Sequence, residues 1–164
     1  MSSAVDQVSG DYANHLLLFG SRNVSAIASQ YEGNATVQFK GIDIGLIGNY
    51  TGTSSIRQLL SALLGPLSYN SSGQVNENPK GYFFIANESQ PTTQVLTTGS
   101  RSSVTAGVIN STFDFRGWGP TVGNFNGTVS AQTYYVHGSG NASWLISKEA
   151  WNILRFWAQI QMTT

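Results

Sequence analysis

Residues 22–65, RNVSAIASQYEGNATVQFKGIDIGLIGNYTGTSSIRQLLSALLG, constrain the fold most, because their hydrophobic period changes from helical to alternating and back to helical. Asn23 stands as an N-cap before VSAIASQY, where Val24, Ile27, Ala28 and Tyr31 recur at helical spacing. Gly33 and Asn34 end that helix, and ATVQF then alternates, with β-branched or aromatic residues at Thr36, Val37 and Phe39. Gly48 and Gly52 bracket NYT as a turn. Thr53 or Ser54 then caps a helix whose Ile56, Leu59, Leu60, Leu63 and Leu64 form an apolar stripe, stopped by Gly65 and Pro66. This succession of helix, strand, turn and helix supports an α+β fold.

The flanks extend it. Ser3 opens a Ser-x-x-Asp capping pattern, and Val5, Val8, Tyr12, His15, Leu16 and Phe19 share one helical face that closes at Gly20 and Ser21. After Pro66, LSYNSSGQVNENPKG reads as loop. Tyr82–Asn87 and Thr92–Thr98 are short strands separated by Pro91. Val104–Trp118 is the longest strand, joined through GPTVGNFNG to a further strand, Thr128–His137, and through GSGNA to SWLIS. Three successive antiparallel strands make a meander. Alternation puts Ile109, Phe113 and Phe115 on one face and Asn110, Asp114, Arg116 and Trp118 on the other. The closing KEAWNILRFWAQIQM fits a continued strand or a terminal helix. Trp151, Leu154 and Ala158 on one helical face, with Ser147 as cap, favour the helix.

Three motifs in order, N-V-S-A-I from Asn23, Y-x-x-N-A-T-V from Tyr31 and G-x-Y-x-G-x-x-x-I-R from Gly48, resemble the nuclear-transport-factor-2-like superfamily. That superfamily includes SnoaL-like cyclases, ketosteroid isomerases, scytalone dehydratase and non-catalytic domains. The resemblance spans roughly Tyr12 to Ser147. It implies one domain over residues 1–164: three helices from the first half of the chain packed on the concave face of a strongly curved, mostly antiparallel sheet, a cone enclosing a pocket. It also implies a homodimer formed through the sheet. The pocket-lining residues expected on that basis are His15, Phe19, Phe39, Leu60, Ile109, Phe113, Phe115 and Tyr135.

Candidate chemistry sits on the first helix. Asp11 and His15 are four apart, the spacing at which a carboxylate orients an imidazole base, and Tyr12 lies between them. A packed, hydrogen-bonded histidine is the simpler reading of His15. Ketosteroid isomerases carry a carboxylate base in the strand that resembles ATVQF; the matching place here holds Gln38 or Phe39, neither of which takes a proton, so the resemblance does not extend to that chemistry. Phe39 implies an apolar wall. With two histidines and no cysteine, no metal-ligand spacing is present, and no phosphate loop, dinucleotide fingerprint or nucleophile elbow implies a cofactor. Asp114 and Arg116 read as a surface ion pair, and Trp118, Trp144, Trp151 and Trp157 mostly as core.

Charged residues make up 10% of the chain, against about 25% in ordinary domains, and eight basic residues balance eight acidic ones. No basic face for nucleic acid is expected. Asn-X-Ser/Thr sequons occur instead, at Asn23, Asn34, Asn49, Asn70, Asn87, Asn110, Asn126 and Asn141. With 13 asparagines and 35 serines and threonines in 164 residues, roughly three would arise by chance. The excess points to a secreted or cell-surface glycoprotein; accidental accumulation in a cytoplasmic, Ser/Thr-rich chain is the plainer alternative. No stretch has the length and apolarity of a membrane span, and the first residues lack a signal peptide's pattern, so export implies a mature or excised ectodomain. The expected function is non-catalytic binding of a small apolar or amphipathic ligand, or of a partner chain. Alternatives are an acid–base cyclase, isomerase or dehydratase using Asp11, Tyr12 and His15, and a structural surface module with a filled cone.

Overall fold

The computed structural model describes residues 4–64, 68–69, 75–76, 82–97, 104–119, 122–137 and 144–160. The sequons at Asn70 and Asn141, and most of the segments read as loops around them, lie outside these residues. Helix α1 (Ala4–Ser21) turns Val8, Tyr12, His15, Leu16 and Phe19 inward. Arg22, at a φ of 59°, ends it, and its buried guanidinium Nε–H donates to the Leu64 carbonyl at 2.8 Å. Asn23 caps α2 (Val24–Ala28), its Oδ1 accepting the Ala26 N–H at 3.0 Å. This helix is shorter than the periodicity implies, because Tyr31 already begins strand β1 (Tyr31–Gly41). The NYT segment is likewise more than a turn: β2 (Gly48–Thr51) pairs antiparallel with β1, Thr36 opposite Thr51 and Gln38 opposite Asn49. Helix α3 (Thr53–Leu63) starts one residue earlier than a Thr53 cap would give and two earlier than a Ser54 cap. Gly52, at a φ of 90°, occupies the N-cap, a conformation that suits glycine, and its N–H donates to the Ala35 carbonyl.

Within the segment read as loop, β3 (Ser68–Tyr69) and β4 (Val75–Asn76) form a two-residue ladder. Then come β5 (Phe83–Ala86), β6 (Thr92–Thr97), β7 (Val104–Gly119), β8 (Gly123–His137) and β9 (Trp144–Ala158). The main sheet runs β2-β1-β9-β8-β7-β5, with β6 pairing the first part of β7. Strand β1 runs parallel to β9, and the other pairings are antiparallel, so β7, β8 and β9 are the expected meander. No described helix is long and apolar enough to cross a membrane.

The terminal-helix reading is corrected here: residues 144–158 are one strand. Two β-bulges explain the helix-like spacing. Tyr135 pairs with Ile146 and Tyr134 with Lys148, leaving Ser147 as an extra residue; Val129 pairs with Ile153 and Thr128 with Arg155, leaving Leu154. Each extra residue flips the parity of the positions beyond it. Trp144 and Ile146 therefore point inward, then Glu149, Trp151 and Ile153, while Leu154 is exposed.

The sheet curls around the three helices without closing. At two places in it glycine faces an aromatic ring across strands. Phe115 lies opposite Gly127, and a Cβ on Gly127 would sit 2.5 Å from the Phe115 ring. Gly117 and Phe125 repeat the arrangement one step along.

Candidate functional site

The interior of the cone is built from aromatic side chains carried inward by alternation on β1, β7 and β9. Trp151 stacks on Phe39, ring centroids 5.3 Å apart and planes at 10°, and meets Phe113 edge-on at 5.3 Å and Phe19 at 5.4 Å. The space left among Phe19, Tyr31, Phe39, Leu60 and Trp151 is about 10 Å³, at most one water. The eight residues expected to line an apolar pocket, His15, Phe19, Phe39, Leu60, Ile109, Phe113, Phe115 and Tyr135, are all buried and packed. The expectation of an apolar chamber is corrected accordingly: Trp151, which sequence reading put on a helix, fills it.

Above this aromatic layer lies a polar network. His15 is fully buried, and its Nε2 is 3.0 Å from Oε2 of Glu149. Thr133 donates to the same carboxylate oxygen at 2.8 Å, and the Tyr31 hydroxyl donates to Oε1 at 2.5 Å. On the other side of the ring, Nδ1 is 2.6 Å from Gln30 Oε1. An imidazolium satisfies both neighbours, donating Nε2–H to the carboxylate and Nδ1–H to the amide oxygen. Burial alone would lower the His15 pKa, but the Glu149 charge and the hydrogen bonds to Glu149 and Gln30 outweigh it and leave it raised. Burial alone would raise Glu149; the His15 charge and the hydrogen bonds from His15, Tyr31 and Thr133 leave it lowered. Both directions describe an ion pair. Burial and the neighbouring carboxylate keep the Tyr31 phenol protonated well beyond its ordinary range.

Of the three catalytic candidates, His15 alone belongs to this network. Tyr12 packs beside the ring, centroids 6.4 Å apart, and its hydroxyl is hydrogen-bonded to Ser111. Asp11 is not the partner of His15. It is half-buried at the cone's mouth, where it accepts a hydrogen bond from the Trp144 backbone N–H and burial raises its pKa. The partner that sequence reading missed is Glu149, hidden by the helix assignment; a carboxylate in a strand running into Trp151 and Ile153 was the available signal.

At the mouth, Asp11, Ser29, Gln30, Tyr135, Trp144 and Leu145 border an open cleft of about 350 Å³. The Tyr135 hydroxyl is buried and has no hydrogen-bond partner among the described residues. Gln30 connects the two regions: it borders the cleft and also holds His15.

No protein-family model and no curated protein matches the sequence. Solved structures do match the fold. A ketosteroid isomerase-like protein from Erwinia carotovora atroseptica superposes with a TM-score of 0.64 at 10% identity, covering 94% of this chain and 98% of that one. A type 2 hexachlorocyclohexane dehydrochlorinase superposes with a TM-score of 0.62 at 13% identity, covering 96% and 90%. The ActVI-ORFA protein of Streptomyces coelicolor gives 0.58 at 9% identity, covering 90% and 95%. With the curled mixed sheet and three helices already described, these likenesses show that the chain has the nuclear-transport-factor-2-like fold.

Proposed function

We propose that this chain is a non-catalytic, extracellular binding domain that takes a small, neutral, hydroxylated ligand in the cleft at the mouth of its cone. The observation that carries this reading is the contrast between the two polar regions. The His15–Glu149 network is sealed and internally satisfied, whereas Asp11 and Gln30 border open space, with Tyr135 lining the same cleft and its hydroxyl buried behind it. Asp11 offers acceptors, the Gln30 amide group a donor, and a ligand hydroxyl satisfies both because it donates and accepts. The cleft has no basic residue among those described, which disfavours an anion. The sequon excess and the scarcity of charge support the extracellular assignment. A panel of methyl glycosides and glycerol, titrated into the isotopically labelled protein by NMR, tests the binding. Shifts at Gln30, Tyr135 and Trp144 that weaken several-fold in Asp11→Asn are expected; no shifts there with any probe would end this reading.

An acid–base enzyme is the second reading, favoured by the His15–Glu149 pair itself and by the route through Gln30 to the cleft. It requires a substrate to reach a histidine that is now fully buried. Conversion of any cleft ligand that His15→Gln abolishes, while Asp11→Asn only weakens binding, would favour it.

A further inference from the structure

Every sequon asparagine among the described strand residues faces outward. Ala35, Val37 and Phe39 of β1, Ile109 and Phe113 of β7, and Phe125 and Val129 of β8 are buried against the core. Asn34, Asn110 and Asn126 fall on the opposite parity, and Asn49 is the cross-strand partner of the outward Gln38. In a strand, positions two apart share a face, so each sequon's hydroxyl residue lies on the same side as its asparagine: Thr36, Thr51, Thr112 and Thr128. The hydroxyl oxygens of Thr36 and Thr51 are 2.9 Å apart across β1 and β2. Around these sequons the outer face on β7 and β8 carries Asp114, Arg116, Asn124, Ser130 and Gln132, while Ala106, Val108, Tyr134 and Val136 lie toward one end of it and Trp118 toward the other. Asn87, at the end of β5, adds a sequon at its margin, with its amide donating to Asp114 at 2.8 Å.

We propose that Asn34, Asn49, Asn110 and Asn126 carry N-linked glycans, so that the convex face of the sheet is a sugar-covered surface in place of a charged or subunit-packing one. This rests on the extracellular reading above. The modification is transfer from a lipid-linked oligosaccharide phosphate by a membrane transferase. The asparagine Nδ2 forms a bond to the anomeric carbon, the anomeric carbon–oxygen bond to phosphate breaks, the lipid phosphate leaves with the electron pair, and the displaced Nδ2 proton passes to the transferase. Asn110 and Asn126 sit on β7 and β8, within the sheet and away from its β2 edge, so glycans there obstruct the sheet-to-sheet dimer that the family resemblance implies.

The test is peptide mass spectrometry, before and after enzymatic removal of N-glycans, on the full protein purified from the cells that produce it, with its location recorded by fractionation. Glycan on more than half of the molecules at Asn110 and at Asn126, in protein found outside the cell, is expected. Protein outside the cell with both asparagines mostly unmodified overturns the glycan assignment and leaves the extracellular reading standing. Protein found inside the cell and unmodified overturns both. Light scattering should then give a monomer; a sheet-to-sheet dimer with Asn110 occupied overturns the obstruction.

Discussion

His15 Nε2 and Glu149 Oε2 stand 3.0 Å apart at the centre of the molecule, joining α1 to the strand that lies beside β1 in the sheet. Neither side chain has solvent to fall back on, so removing one leaves the other buried without its counter-charge. Such losses typically amount to about 3–5 kcal/mol, whereas replacing both groups with apolar ones often costs far less. His15→Leu and Glu149→Leu should each lower unfolding stability by about 3 kcal/mol or more, and the double variant should lose clearly less than the two combined. Urea unfolding of the four proteins measures this. Simple additivity would mean that the two groups do not act as a pair.

The same pair sets a pH window. The folded His15 pKa lies above its ordinary 6.5, so its contribution is complete below 6.5 and is lost as pH rises through the raised value. The folded Glu149 pKa lies below its ordinary 4.5, so its contribution is complete above 4.5 and is lost as pH falls through the lowered value. The stability difference between wild type and Glu149→Gln should therefore be largest between about 4.5 and 6.5 and shrink on either side. Urea midpoints of both proteins measured through that range and beyond both ends of it check this; a difference growing steadily above about pH 7 would contradict an ion pair.

How much of this was legible depends on the period that each segment obeys. The helix stripe through Ile56, Leu59, Leu60 and Leu63, and the alternation through Ile109, Phe113 and Phe115, follow unbroken periods, and the structure buries those faces. Strand β9 obeys no single period: bulges at Ser147 and Leu154 shift its inward residues, and the resulting spacing imitates a helix. Both Glu149 and Trp151 lie between those bulges. The partner of His15 and the side chain that fills the cone were thus missed for one reason: a bulge is set by pairing with β8, and the helix-like spacing it leaves outweighed the strand alternative. Asp11 was misassigned differently. Its spacing to His15 is right for a contact, but α1 turns His15 to the core and leaves Asp11 at the cleft.

Trp151 decides whether the cone is a chamber. Its ring touches Phe19, Phe39 and Phe113, all buried, so Trp151→Ala removes contacts that no neighbour can replace without moving. A loss of about 3–5 kcal/mol is expected. If the fold survives, the cavity left has the shape of an indole and an apolar lining, so free indole should raise the melting temperature of the variant and leave that of the wild type unchanged. Calorimetry with and without indole makes the comparison. Stabilisation of the wild type by indole would reveal an apolar chamber that packing by Trp151 does not close.

Gly127 tests the source of the sheet's curl. It lies opposite Phe115 in the β7–β8 ladder, and an added Cβ would come within 2.5 Å of both the Phe115 ring and the Arg155 carbonyl oxygen. A ring can swing aside, but a backbone carbonyl held in the β8–β9 ladder cannot move without disturbing the bulge at Leu154. Gly127→Ala should therefore cost about 1–3 kcal/mol, although alanine elsewhere in a strand interior usually improves on glycine. Pairing it with Phe115→Leu separates the two contacts. Recovery of most of the loss would assign the strain to the ring, and persistence to the carbonyl. A Gly127→Ala protein as stable as wild type would show that the close approach of Phe115 to Gly127 does not hold the curvature.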